Sequence, residues 1–171
     1  NVDASGAGAE AEITGVIANG SGVAGLVKGG AGTLRLTVPS TYTGGTTVDA
    51  GTLELIGGNN HLDTGADITV NAATLDLGGN TQALTAGTFT LGDGAVLRNG
   101  TFNYRDTSWS PKFGASVSFG TGGSFTTPHR LLLKDAQALT LTADAGTSVF
   151  GGDGANSCNF VGVDDARSNT V

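Results

Sequence analysis

Cysteine, proline and positive charge are all scarce in this 171-residue chain, and each scarcity excludes something. The one cysteine, Cys158, cannot form an intrachain disulfide, so it reads as a packed thiol, an intermolecular bridge or a free thiol. Three prolines beside 30 glycines, with no G-X-Y period, exclude a collagen triple helix. Eight basic residues against 15 acidic ones give a net charge of −7 and no basic stripe. Nucleic acid and an anionic membrane surface are therefore disfavoured as partners. Charged residues make up 13% of the chain, where ~25% is usual, so the surface must be built from Thr, Ser and Asn, as on many exported β-proteins. No apolar run approaches the ~20 residues of a membrane helix. No Lys/Arg-led signal peptide is present; the chain opens on NVDASGAGAE and reads as a mature product or an excised fragment. Helical periodicity is nearly absent, confined to the short stretches 7–12 and Leu131–Leu139.

What is abundant is a repeated pentapeptide. It reads GTLRL at 32–36, GTLEL at 51–55, ATLDL at 73–77, GTFTL at 87–91 and GTFNY at 100–104, with starts separated by 19, 22, 14 and 13 residues. Self-similarity at such spacing marks an architecture whose units bury their apolar faces against one another. Within each pentapeptide a polar residue (Arg35, Glu54, Asp76, Thr90, Asn103) stands between two apolar ones, the period-two signature of a strand with one face in a core and one in water. A second family of short strands lies between: Thr46–Val48, Ile68–Val70, Ala83–Thr85 and Ala95–Leu97. Gly/Asn clusters separate them, at Gly44-Gly45, Gly57–Asn60, Gly78–Asn80, Gly92–Gly94 and Asn99-Gly100, and such residues suit sharp corners. The pattern predicts an all-β parallel β-helix, a β-solenoid with inward apolar columns and outward Thr and Asn ladders. A β-sandwich or barrel of hairpins is the alternative.

The stretch Gly25–Leu55 resembles the autotransporter-associated, passenger-associated strand repeat of bacterial surface proteins. Leu26, Lys28, Gly32-Thr33-Leu34, Leu36, Thr41-Tyr42-Thr43-Gly44-Gly45-Thr46, Val48, Gly51-Thr52-Leu53 and Leu55 fall on the family pattern. ITVNAATLDLGGNTQALT (68–85) is similar to stretches that commonly succeed the repeat in such proteins. Val38-Pro39-Ser40 departs from the pattern, standing where Gly and Asn are usual. The resemblance implies a right-handed β-helix, export and residence outside a bacterial cell. It implies no catalytic site, because the repeat is structural. Its framework residues here are Leu34, Leu36, Tyr42, Gly44, Gly45, Leu53, Leu55, Leu75 and Leu77.

After Tyr104 the pattern falters. Residues 105–114 (RDTSWSPKFG) hold the only Trp and read as a protruding loop or irregular rung; Trp109, with Arg105, Lys112 and Phe113, is the candidate interaction surface. Strand-like pieces resume at Ser116–Phe119, Ser124–Thr127, Leu131–Leu133 and Leu139–Thr142, so 115–146 reads as further rungs, while 1–24 and 147–171 read as caps or arms. Catalysis finds no motif: Asp164-Asp165 lies in the tail, and His61 and His129 match no polysaccharide-cleaving constellation. No G-x-S-x-G elbow or phosphate loop occurs. Calcium is the one metal the composition suits, through Asp144, Asp153, Asp164 and Asp165, but with no DxDxDG loop and no repeated GGxGxDxU nonapeptide no cofactor is assigned.

Open ends are the remaining constraint, because a terminal rung presents unpaired backbone groups that must be capped or will pair with something. The expectation is a non-enzymatic extracellular structural subunit, short and complete-looking, self-associating end to end into a homopolymeric cell-surface filament. The alternatives are an adhesin that binds a glycan or cell-surface ligand, and, more distantly, a polysaccharide-active enzyme.

Overall fold

The computed structural model describes residues 10–104 and Gly120 in full, and elsewhere the backbone of eight short strands. In chain order the strands are β1 (Val2–Asp3), β2 (Glu10–Ile13), β3 (Leu26–Gly29), β4 (Thr33–Leu36), β5 (Thr46–Val48), β6 (Thr52–Leu55), β7 (Ile68–Val70), β8 (Thr74–Leu84) and β9 (Phe89–Leu91). They continue as β10 (Ala95–Tyr104), β11 (Lys112–Phe113), β12 (Ser116–Phe119), β13 (Gly123–Thr126), β14 (Leu131–Leu133), β15 (Thr140–Ala143), β16 (Phe150–Gly151) and β17 (Phe160–Val161). No helix occurs among the described residues.

Two sheets result. The first runs β1-β3-β5-β7-β9-β11-β14-β17, and the second runs β15-β12-β10-β8-β6-β4-β2. From β1 to β12 alternate strands along the chain go to alternate sheets, and the strands pair in parallel, so the chain coils rather than folding back. This is a parallel β-solenoid; antiparallel hairpins, which a sandwich requires, are absent among the described strands.

The inward residues stack in columns. Ala11, Leu34, Leu53, Leu75 and Leu97 succeed one another in register in the second sheet. Leu26, Thr46, Ile68 and Phe89 do so in the first. Beside them, Lys28, Val48, Val70 and Leu91 form another column. Nearly all of these side chains are fully buried. Outward threonines form the expected ladders, Thr33-Thr52-Thr74 on one sheet and Thr47-Thr69-Thr90 on the other.

The five pentapeptides do not share one column, which corrects the repeat as the sequence presents it. GTLRL, GTLEL and ATLDL stack in the second sheet, where the next position belongs to Ala95–Leu97. GTFTL supplies β9 of the first sheet, with Phe89 on Ile68 and Leu91 on Val70. GTFNY forms the far half of β10 and pairs with Asn80–Leu84. The pentapeptide describes a strand with a Gly/Thr entry, and that local chemistry suits any face. The coil period is the distance between stacked partners, 19 residues for Arg35 and Glu54 and 22 for Asp76 and Arg98.

A third face grows out of these long strands. β8 and β10 each turn a corner, β10 with a register shift between Arg98 and Gly100, and their far halves pair with each other and then with β13 and β16. Phe102 on this face stacks on Phe89 across the core, ring centroids 3.8 Å apart and planes 15° apart. In earlier coils the same face is held by bonds such as Thr41 N–H to Ile17 O (2.8 Å) and Asn60 N–H to Thr81 O (3.0 Å). Side-chain amides complete it: the Asn59 and Asn60 Oδ1 atoms accept from Thr81 and Ala83 N–H. Gln82, fully buried, accepts from Leu62 N–H and donates to Leu62 and Ala83 carbonyls. That amide substitutes for a missing strand, since buried backbone groups must find partners.

Candidate functional site

The outward side chains of the second sheet carry the most organised chemistry of the described residues. Register places Glu12, Arg35, Glu54, Asp76 and Arg98 in one column along the solenoid. Arg35 donates through Nη1 and Nη2 to the two Glu10 oxygens at 3.0 and 3.2 Å, and through Nε to Glu54. The Glu54 carboxylate, then that of Glu10, holds the guanidinium above its ordinary pKa. Arg98 Nε donates to Asp76 Oδ2 at 2.7 Å. The adjacent acids Glu54 and Asp76 are thus each neutralised by an arginine on the far side. Asp76 was expected to face water as the middle residue of ATLDL; it is buried instead. Its Oδ1 accepts from Gly78 N–H (2.9 Å) and Asn99 Nδ2 (3.0 Å), which folds the Gly78–Asn80 corner over it.

Framework residues fall where the repeat implies. Leu34, Leu36, Tyr42, Leu53, Leu55, Leu75 and Leu77 are core. Gly44 and Gly45 make the corner into the first sheet, with Gly44 N–H donating to Ala24 O (2.7 Å) and Gly45 O accepting from Leu26 N–H (3.0 Å). Lys28 lies fully buried in an apolar column, its stem in the core and its Nζ donating to Gly29, Gly30 and Ala50 carbonyls at 2.6–3.1 Å. The sequence signal for that role is its alternation with Leu26, which forces the side chain inward.

Of the candidate interaction residues, Lys112 and Phe113 belong to β11 in the first sheet, between β9 and β14. Arg105 and Trp109 lie outside the described residues, as do Cys158 and His129 and the calcium candidates Asp144, Asp153, Asp164 and Asp165. No group of three or more His, Cys, Asp or Glu placed to hold a metal occurs among the described residues, and no helix there is long and apolar enough to cross a membrane. His61 is buried, with Nε2 on the Ile56 carbonyl at 2.7 Å. Its Nδ1 and the Ser40 Oγ are buried without partners, although Ser40 N–H donates to the His61 carbonyl in the next coil.

Tyr42 gives this framework a pH signature. Its hydroxyl is paired with Thr46 Oγ1 inside the core, and burial pushes its pKa up to about 12. An unfolded tyrosine titrates near ~10, so the native state keeps its proton over a window where the unfolded chain loses it. This contribution is fully present below about pH 10 and is lost as pH rises towards 12, a fall of about 2–3 kcal/mol. Urea unfolding at pH 9 and 11.5 should register most of that fall, and Tyr42→Phe should flatten it; an equally steep decline in the variant would remove Tyr42 as its source.

Residues 26–55 match the family model of the passenger-associated-transport-repeat. They comprise β3 to β6, two successive strands of each sheet, so the matched repeat is a pair of stacked rungs with the buried lysine and the Tyr42–Thr46 corner between them. No curated protein and no solved structure gives a match. The repeat and the β-solenoid together fit an autotransporter passenger domain, and the repeat family points to a secreted or cell-surface protein.

Proposed function

We propose that this chain is a non-enzymatic structural element outside the bacterial cell: a β-solenoid shaft, needing no cofactor, lengthened into a surface fibre by coils stacking end to end. The observation that carries the reading is the border of the second sheet. β2 keeps the parallel register of the coils below it, with Ala11 on Leu34 and Ile13 on Leu36, and among the described residues it pairs only with β4. Its alternation of exposed and half-buried residues is a surface to which a further coil can be added, from a longer run of the same chain or from another molecule. Copies of the chain stacking there would build a homopolymer; another coil stacking there would build a mixed shaft. The alternative, an adhesin, would use the Trp109 loop, which lies outside the described residues, or the outward Thr and Asn ladders.

Negative-stain electron microscopy of concentrated protein, with light scattering on the same sample, tests this reading. Rods longer than one molecule, growing with concentration, are expected. A strict monomer at every concentration, alone and with a coil-forming partner, would sink it.

A further inference from the structure

Asn-Gly occurs twice in the chain, at Asn19-Gly20 and Asn99-Gly100, and the two asparagines are held in opposite ways. Such a step can modify itself, because glycine has no side chain to shield its nitrogen or restrict its approach. The glycine nitrogen bonds to the asparagine Cγ, the Cγ–Nδ2 bond breaks, and ammonia leaves with the nitrogen's proton. Water then opens the cyclic imide to aspartate or to isoaspartate. Both asparagines are exposed. Asn19 serves mainly as an acceptor: its Oδ1 takes the N–H groups of Ala24 (2.9 Å) and Thr43 (3.1 Å), and its Nδ2 donates to Thr43 Oγ1 at 2.9 Å. A carboxylate at that place keeps both backbone bonds, and the Thr43 hydroxyl can turn to donate to it. Asn99 serves as a donor. Its Nδ2 gives to Asp76 Oδ1 at 3.0 Å, on a buried carboxylate that also accepts from Gly78 N–H and Arg98 Nε.

We infer that Asn99-Gly100 is a self-modification site that runs in one direction: the closed corner protects it, an opened corner lets the imide form, and the acid product keeps the corner from closing again. Protection follows from the packing. Asn99 holds a left-handed backbone, φ 55°, where β10 shifts register against β8. Gly100 lies so close to the preceding coil that a Cβ on it would sit 2.4 Å from the Asn80 carbonyl oxygen. The glycine nitrogen reaches Cγ only when this contact parts. Irreversibility follows from the charges. Aspartate at position 99 replaces a donor to Asp76 by a second carboxylate, which removes a hydrogen bond from a buried acceptor and adds like-charge repulsion. Isoaspartate also lengthens the backbone by one carbon in a place with no room for a Cβ. The far halves of β8 and β10, which begin the third face, depend on this corner for their pairing. The device acts within one chain and needs no partner.

The intact chain is incubated in mildly alkaline buffer, with and without urea, and conversion at both Asn-Gly steps is followed by peptide mass spectrometry. Asn99 is expected to convert at least about tenfold more slowly in the folded chain than in urea, because local opening must come first. Asn99→Asp, which installs the product, should lower the folded-to-unfolded ratio at least about tenfold in urea unfolding, while Asn19→Asp should stay within about twofold of wild type. Adding Asp76→Asn to Asn99→Asp restores one amide facing one carboxylate, so the double variant should be the more stable of the two. Where Asn99→Asp does not fold, wild-type chain aged in urea, refolded and separated by ion exchange supplies the same comparison between converted and unconverted fractions. Conversion of Asn99 as fast in the folded chain as in urea overturns the inference. So does an Asn99→Asp variant as stable as Asn19→Asp, a double variant no more stable than Asn99→Asp alone, or converted chain that refolds as well as unconverted chain.

Discussion

Gly78→Ala is expected to cost more than about 3 kcal/mol, whereas Gly79→Ala beside it should cost only about 1–2 kcal/mol. Both glycines hold a left-handed backbone, φ 58° at Gly78 and 82° at Gly79, so each substitution carries the penalty of placing an L-residue there. The difference lies in the surroundings. A Cβ at Gly79 meets nothing within 4 Å, but at Gly78 it would lie 2.0 Å from the Leu55 carbonyl oxygen of the preceding coil. Backbone cannot yield as a flexible side chain does. That same carbonyl accepts from Asn80 Nδ2, which also donates to Leu77 and Gly78 carbonyls. Pushing Leu55 away opens this bracket and separates β6 from β8 where Leu53 and Leu75 stack. Urea denaturation of the two variants, monitored by far-UV circular dichroism, decides the matter. Equal midpoints would mean that coil contact at this corner is looser than the structure has it.

The contrast also marks how far sequence reasoning reaches. Gly78-Gly79-Asn80 is legible as a corner, because Gly and Asn accept positive φ. Which of the two glycines abuts another coil depends on a partner 23 residues earlier in the chain and cannot be read locally. The alternation of Leu34, Arg35 and Leu36 fixes the strand and its inward face, and β5, β7 and β12 fall at their expected bounds. GTFTL and GTFNY mislead, since the pentapeptide is a local motif and register is a long-range property. The charged column is recoverable once coils are aligned, for Arg35, Glu54 and Asp76 occupy the same place in successive repeats. What hides it is Arg98: it comes directly after Ala95-Val96-Leu97, which does not look like a pentapeptide, yet lands on Asp76. Gln82 is harder still. Its role as a stand-in strand for Leu62 arises from a coil whose third face is irregular, and one polar residue in an apolar rhythm announces only that something is unusual.

Leu75→Ala should destabilise the chain by about 3–5 kcal/mol, and the shape of the loss should be as informative as its size. Leu75 is fully buried, with Leu53 and Leu97 as its stacked neighbours. No loop can collapse into the void, because the flanking strands are pinned in register on both sides, and poor relaxation is what drives such costs to the top of their range. A coil contacts only the coils above and below, so stability is close to a sum of coil and interface terms. Weakening one interior coil weakens two interfaces, and a total near ~5–15 kcal/mol cannot absorb that without splitting the transition. Hydrogen exchange should therefore show protection falling first at β6, β8 and β10 in the variant, with the coils at β3 and β4 holding longer. The matching change in β2, Ile13→Ala, should cost well under half as much, since Ile13 is only half-buried and, among the described residues, has a stacked partner on one side. A single cooperative transition shifted as a whole, with Ile13→Ala and Leu75→Ala equally costly, would contradict nearest-neighbour coupling. It would also undercut end-to-end growth, because a border coil as stable as an interior one has nothing to gain from a neighbour.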